Sequence, residues 1–285
     1  MNVINNFPSV EDFYSTRMLT SEQMEHDRDL AEKYFSILKQ AADKTSPLYV
    51  NGDFVSYGVT MCCANPIGGI LITGINPSFN PQFPNGGYYT LKEAMLNRKS
   101  YWRNKREQII GEDDDYSLME KTAYLDLFPY SESSQKKFQN EIDKNIKHFQ
   151  VSVLEITLSE IERLRPRLII AANKQTSYYW GIKKDSTWLG YDLQIVEKSQ
   201  MPECLNGKDI KLYRIVGDTG FKNADDRIGQ DRYPTTNLLG AYFIDYALYD
   251  NRHQEKYPTR ILKPSIVKDL YRIAGNSGSP AKPCV

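Results

Sequence analysis

The stretch GGILITGINPS, residues Gly68–Ser78, passes from two glycines through an apolar run into an Asn-Pro turn. Its apolar and polar side chains barely alternate, the pattern of a strand covered on both faces rather than one with a wet side. Three other runs share this character: TAYLDLFPY at Thr122–Tyr130, RPRLIIAAN at Arg165–Asn173, and IKLYRIVG at Ile210–Gly217. Helical patterns lie mostly between them, so the chain reads as an α/β fold, a three-layer αβα arrangement around a central, mainly parallel four-stranded sheet. Ligands of such sheets sit beyond the carboxyl ends of the strands, which directs attention to GINPS, DLFPY, AANKQ and GDTGF.

Around this core, Ser21–Ala42 places Met24, Leu30, Tyr34, Ile37, Leu38 and Ala41 near one helical face, with Ser21 as N-cap. YVNGDFVSYGVTMCC, Tyr49–Cys63, predicts a short hairpin turning at Asn51 and Gly52. Leu91–Glu120 is polar and charged and reads as a surface excursion with a helical pattern. The segment Lys137–Leu164 predicts one long or two broken helices, and further helices are expected at Gln175–Ile182, Thr235–Asp250 and Lys263–Ala274. A single domain of 285 residues follows, with its core at about residues 50–250, an N-terminal helical extension over 1–49 and a loose tail over 275–285.

Lysine plus arginine number 36 and aspartate plus glutamate 36, so no global positive field advertises nucleic acid and any such contact must rest on a local patch. The four cysteines form neither a disulfide framework nor a C-x-x-C pair, which fits reduced thiols and a cytoplasmic location. No leader pattern and no membrane-length apolar run is present. G-x-G-x-x-G, the Walker motif, H-E-x-x-H and G-x-S-x-G are all missing, and His26, His148 and His253 are widely separated. No cofactor or metal is implied.

GINPS, Gly74–Ser78, resembles the first motif of the mismatch-specific and single-strand-selective branches of the uracil-DNA glycosylase superfamily, which read G-I-N-P-G or G-M-N-P-G. YLDLFPY stands where those families have a strand ending in N-x-x-P. RPRLIIAAN is similar to their third strand, and RIVG stands where their last strand delivers H-P-S. The resemblance covers roughly Gly68–Leu239 and implies an α/β fold with a parallel sheet. It also implies hydrolysis of the N-glycosidic bond of a base in DNA or a nucleoside, with DNA or a nucleobase as partner.

On that resemblance Asn76 holds the hydrolytic water, and Gly74, Ile75, Pro77 and Ser78 wall a base-sized pocket. Read locally, Asn76 and Pro77 equally suit the turn that any strand exit needs. Phe79, Phe83, Tyr88 and Tyr89 follow the motif, and Phe79 and Tyr88 are the stacking candidates, since an aromatic face stacks on any base. Asp126 takes the place of the family's base-reading asparagine. An ionised carboxylate only accepts hydrogen bonds and suits an edge with two donors, as in guanine, whereas a protonated one mimics asparagine. Its structural alternative is a helix cap or an ion pair.

GDTGF replaces H-P-S, leaving Asp218 or Lys222 to support the departing base. Phe221 is a candidate wedge, and Lys222, Arg227 and Arg232 are candidate phosphate contacts in a loop whose acids nearly cancel their charge. Three readings stay open: a glycosylase-like hydrolase, a non-catalytic base- or nucleotide-binding protein of the same fold, and an unrelated α/β enzyme acting on nucleosides.

Overall fold

The structure, a computed structural model, describes residues 9–15, 17, 19–78, 85–96, 102–111, 114–132, 147–182, 189–218, 236–245, 256 and 258–276. Its main sheet has six strands: β2 (Ile70–Gly74), β4 (Thr122–Asp126), β5 (Leu168–Ala171), β6 (Tyr191–Ile195), β7 (Lys211–Asp218) and β8 (Tyr242–Asp245). The spatial order is β4-β2-β5-β8-β7-β6. The first four run parallel, with β2 inside between β4 and β5, while β7 and β6 continue the sheet antiparallel. Three of the four expected parallel strands, β2, β4 and β5, are thus present, but in a larger, mixed sheet whose fourth parallel strand, β8, is not the expected one.

Strand parity explains why the runs lack alternation. Leu71, Ala123, Leu125, Ile169, Ala171 and Phe243 enter one core, while Ile70, Ile72, Tyr124, Leu168, Ile170 and Ile244 enter the other. Successive side chains point to opposite faces, so a strand buried on both sides must be apolar at every position.

Helices α2 (Ser21–Ala42) and α5 (Lys147–Leu164) cover the first core. The second is covered by α3 (Leu91–Leu96), α4 (Arg103–Ile109) and α7 (Pro264–Asn276). Two further short helices, α1 (Val10–Ser15) and α6 (Lys174–Tyr179), complete the α-helices among the described residues. None of the described helices is long and apolar enough to cross a membrane.

The sequence expectations change at four places. First, Thr235–Asp250, expected as a helix, contains β8. Tyr242, Phe243 and Ile244 form a short apolar run whose helical or extended character periodicity alone does not decide, and Gly240 at φ +85 separates it from the preceding turn. Ile210–Gly217 is consequently not the fourth parallel strand, because β8 fills that position and β7 returns antiparallel beside it.

Second, Tyr49–Cys63 forms no hairpin. A 3₁₀ turn at Asp53–Ser56 leads into β1 (Val59–Cys63), which pairs in parallel with β3 (Gly86–Thr90) as a separate two-stranded sheet. Third, the excursion after Leu91 is not a surface appendage, since Met95, Lys105, Gln108, Ile109 and Ile110 are all buried. Fourth, the cap of α2 is Thr20, one residue earlier than expected. Its hydroxyl accepts from the Gln23 amide at 3.2 Å and the Gln23 side chain accepts from the Thr20 amide at 3.3 Å, a reciprocal capping box.

The N-terminal helices are fastened by buried polar contacts. Tyr14 donates its hydroxyl to Asp27, which also accepts from the Ala64 amide at 2.7 Å. Tyr34 shares a 2.8 Å hydrogen bond with Thr157, whose hydroxyl reaches the Leu127 carbonyl at 2.9 Å. Glu160 on α5 accepts from Arg163 at 2.7 and 2.8 Å and meets His26 Nε2 of α2 at 2.8 Å. Burial opposes the Glu160 charge, yet Arg163 and His26 together hold the carboxyl below its ordinary range.

Glu160→Ala is expected to cost about 2 kcal/mol in urea denaturation at pH 7, the low side for a broken buried pair because both partners are about one-third exposed. A depressed carboxyl stabilises above its unfolded value, about 4.3, and that stabilisation is lost as pH falls through the folded value. The wild-type and variant stabilities should therefore converge as pH falls from about 4.3 through the lower folded value.

Candidate functional site at the carboxyl edge of β2 and β4

Gly74 ends β2 directly opposite Asp126, the last residue of β4. The two chains stay together beyond the strands: Leu127 donates to the Gly74 carbonyl at 3.0 Å, Phe128 to that of Ile75 at 2.9 Å, and Glu132 to that of Pro77 at 3.3 Å. A parallel bridge joins Ser78 to Glu132. Asn76 is buried between these exits, and its amide nitrogen donates to the carbonyls of Pro77 at 3.0 Å and Tyr130 at 3.4 Å. The Asn-Pro turn is thereby tied to the chain leaving β4.

A side chain at position 74 has nowhere to go. A Cβ there would stand 2.5 Å from the Tyr124 hydroxyl and collide with Asp126 Oδ1. Because residues 124 and 126 share a face of β4, the phenol and the carboxyl both lie over the bare glycine, and Tyr124 donates to Asp126 Oδ1 at 2.9 Å. The backbone of Tyr124 is fixed from the free edge of β4 by Asn65, which accepts from its amide at 3.0 Å and donates to its carbonyl at 3.2 Å. Asn65 thus occupies the hydrogen-bonding edge that a further strand would take.

The remaining wall comes from α4 and the residue before it. Trp102 meets Tyr124 edge-on at 4.7 Å between ring centres, and Tyr89 meets Trp102 at 5.6 Å. Lys105 Nζ rests 5.1 Å from the Trp102 ring centre and 5.7 Å from that of Tyr124, within reach of a cation–π attraction. Lys105 and Asp126 are both buried. Desolvation raises Asp126 to about 7, with the Tyr124 hydroxyl and the Lys105 charge pulling it back. Desolvation lowers Lys105 to about 7, opposed by the Asp126 charge. The ionic and neutral forms of this pair differ only in where one proton sits.

The structure brings Gly74, Ile75, Asn76, Pro77, Ser78 and Asp126 to one sheet edge and leaves Tyr88 and Asp218 away from it. The Tyr88 ring packs at 6.0 Å against Phe13 of α1, and its strand neighbour Tyr89 faces Trp102 instead. Asp218 pairs with Tyr191 at the far end of β7. Since β7 runs antiparallel to β8, that end lies at the amino edge of the parallel strands, opposite Gly74. Phe79, Phe221, Lys222, Arg227 and Arg232 lie outside the described residues.

Trp102, Lys105 and Tyr124 did not emerge as site residues from the sequence. The signals were the shared strand face of residues 124 and 126 and the helical spacing that sets Trp102, Lys105 and Ile109 on one side of α4. No group of three or more His, Cys, Asp or Glu side chains with metal-binding proximity occurs among the described residues. Comparisons with protein-family models, curated proteins and solved structures find no match to this chain.

Gly74→Ala should destabilise the fold by about 1–3 kcal/mol, as expected for overpacking where the obstructing groups are themselves buried. Adding Tyr124→Phe removes one of the two obstructing oxygens and should recover part of that loss in the double variant, read by chemical denaturation. Full additivity of the two changes would contradict the shared space.

Proposed function

We propose that the carboxyl edge of β2 and β4 receives a nucleobase and that the protein hydrolyses the N-glycosidic bond of that base in DNA or in a nucleoside. One observation carries this reading: Asp126, which the resemblance assigns to reading the base, is buried directly over the bare Gly74 in a sheet whose GINPS strand is interior. A base must leave its stack to be cleaved and needs a pocket that reads its edge and covers its face. Asp126 and Tyr124 supply polar atoms for the edge, and Tyr89 and Trp102 supply aromatic surface beside them. Asn76 adjoins the same place and is the candidate for orienting water.

A binding protein without turnover is the second reading. It is favoured by the Asn76 amide nitrogen already serving two backbone carbonyls and by Asp218 lying at the opposite edge of the sheet.

The test is base release by the purified chain from uracil-containing, mismatched and alkylated DNA and from nucleosides. The hydrolase reading expects release, a loss of at least about tenfold in Asn76→Ala through misplaced water, and a changed choice of base in Asp126→Asn. Absence of release with ligand-induced thermal stabilisation would support the second reading. Absence of both would remove the site from consideration.

A further inference from the structure

Lys105 belongs to none of the motif segments, yet α4 delivers its ammonium, buried, onto the faces of Trp102 and Tyr124, while the Tyr124 hydroxyl donates to Asp126 Oδ1 at 2.9 Å. We propose that Lys105 is a positioning residue that keeps Asp126 a hydrogen-bond acceptor, so that the site prefers a base edge with two adjacent N–H donors, as in guanine, over one that alternates donor and acceptor, as in uracil. The inference rests on the reading of Asp126 as the group that meets the base edge.

The physical reason is the inventory of groups around one buried carboxyl. Without help, a buried carboxyl takes up a proton and becomes a donor as well as an acceptor, much like the asparagine it replaces. Two neighbours oppose this: Tyr124 of β4 through a hydrogen bond to the charged form, and Lys105 of α4 through its positive charge. Two others feel the Asp126 charge, Cys62 of β1 and Tyr34 of α2. Burial and that negative charge both keep their protons in place, so they add no competing charge. Gly74 of β2 presents no side chain. The positive charge of Lys105 thus favours the ionised form of Asp126.

The experiment is calorimetric titration of the full chain with 9-methylguanine and 1-methyluracil between pH 6 and 8.5, probes that keep the two edges and have no glycosidic bond to break. The wild type should favour methylguanine increasingly as pH rises through the shared midpoint of Asp126 and Lys105, near 7. Lys105→Met, similar in length and apolar, should move that midpoint up by about one pH unit or more. Tyr124→Phe should move it the same way independently, and Asp126→Asn should abolish the pH dependence and favour methyluracil. Wild-type midpoints in both Lys105→Met and Tyr124→Phe would overturn the inference. So would a selectivity that does not vary with pH in the wild type, which leaves base binding itself standing. No binding of either probe would overturn the inference together with the base-binding reading.

Discussion

The absence of a side chain at Gly74 is the constraint on which the rest of the site depends. β2 and β4 are paired in register to their last residues, so a side chain at position 74 would collide with the Asp126 carboxyl and the Tyr124 hydroxyl. The bare glycine lets the Asp126 carboxyl and the Tyr124 hydroxyl fill that space, with the Lys105 ammonium against the Trp102 and Tyr124 rings, where water is excluded and charges interact strongly. Burying such groups is costly, and the hydroxyl of Tyr124 donating to Asp126 offsets part of that cost. Polar clusters buried at the carboxyl edge of a parallel sheet occupy the place where α/β folds hold their ligands.

The same logic assigns a role to the segment that looked dispensable. The residues after Leu91 are rich in charge, yet α3 and α4 lie on the second core and carry Trp102 and Lys105 to the end of β4. The opposite face is closed by α2 and α5, joined through His26, Glu160 and Arg163. The sheet end is therefore positioned between two helical layers that are fixed independently, one by packing around Met95 and Ile109, the other by a buried ionic junction.

Much of this was legible in the sequence. The unalternating runs at Ile70–Gly74, Thr122–Asp126 and Leu168–Ala171 announced strands buried on both faces, and the amphipathic pattern of Ser21–Ala42 announced its helix, with the cap displaced by one residue to Thr20. Tyr242–Asp245 was misread because an apolar run as short as Tyr242–Ile244 carries no period, and its place in the sheet comes from pairing with residues 74 positions away. That misreading displaced β7 and with it Asp218, which shows how one strand assignment decides which end of a sheet a residue occupies. Lys105 was hidden for a different reason. A lysine among arginines and glutamates reads as solvated, and only the tertiary placement of α4 over Tyr124 makes it a buried cation.

The claim that Asp126 is the ligand-reading group of this edge is tested most directly at its own carboxyl carbon. In protein carrying a carbon-13 label at aspartate carboxyls, with Asp126→Asn used to assign the resonance, the Asp126 signal is followed while a free base is added. The account predicts a saturable shift of that resonance, with the other aspartates of the described residues left in place. A resonance that stays fixed while a base binds elsewhere, or across a panel of bases that do not bind at all, would contradict it.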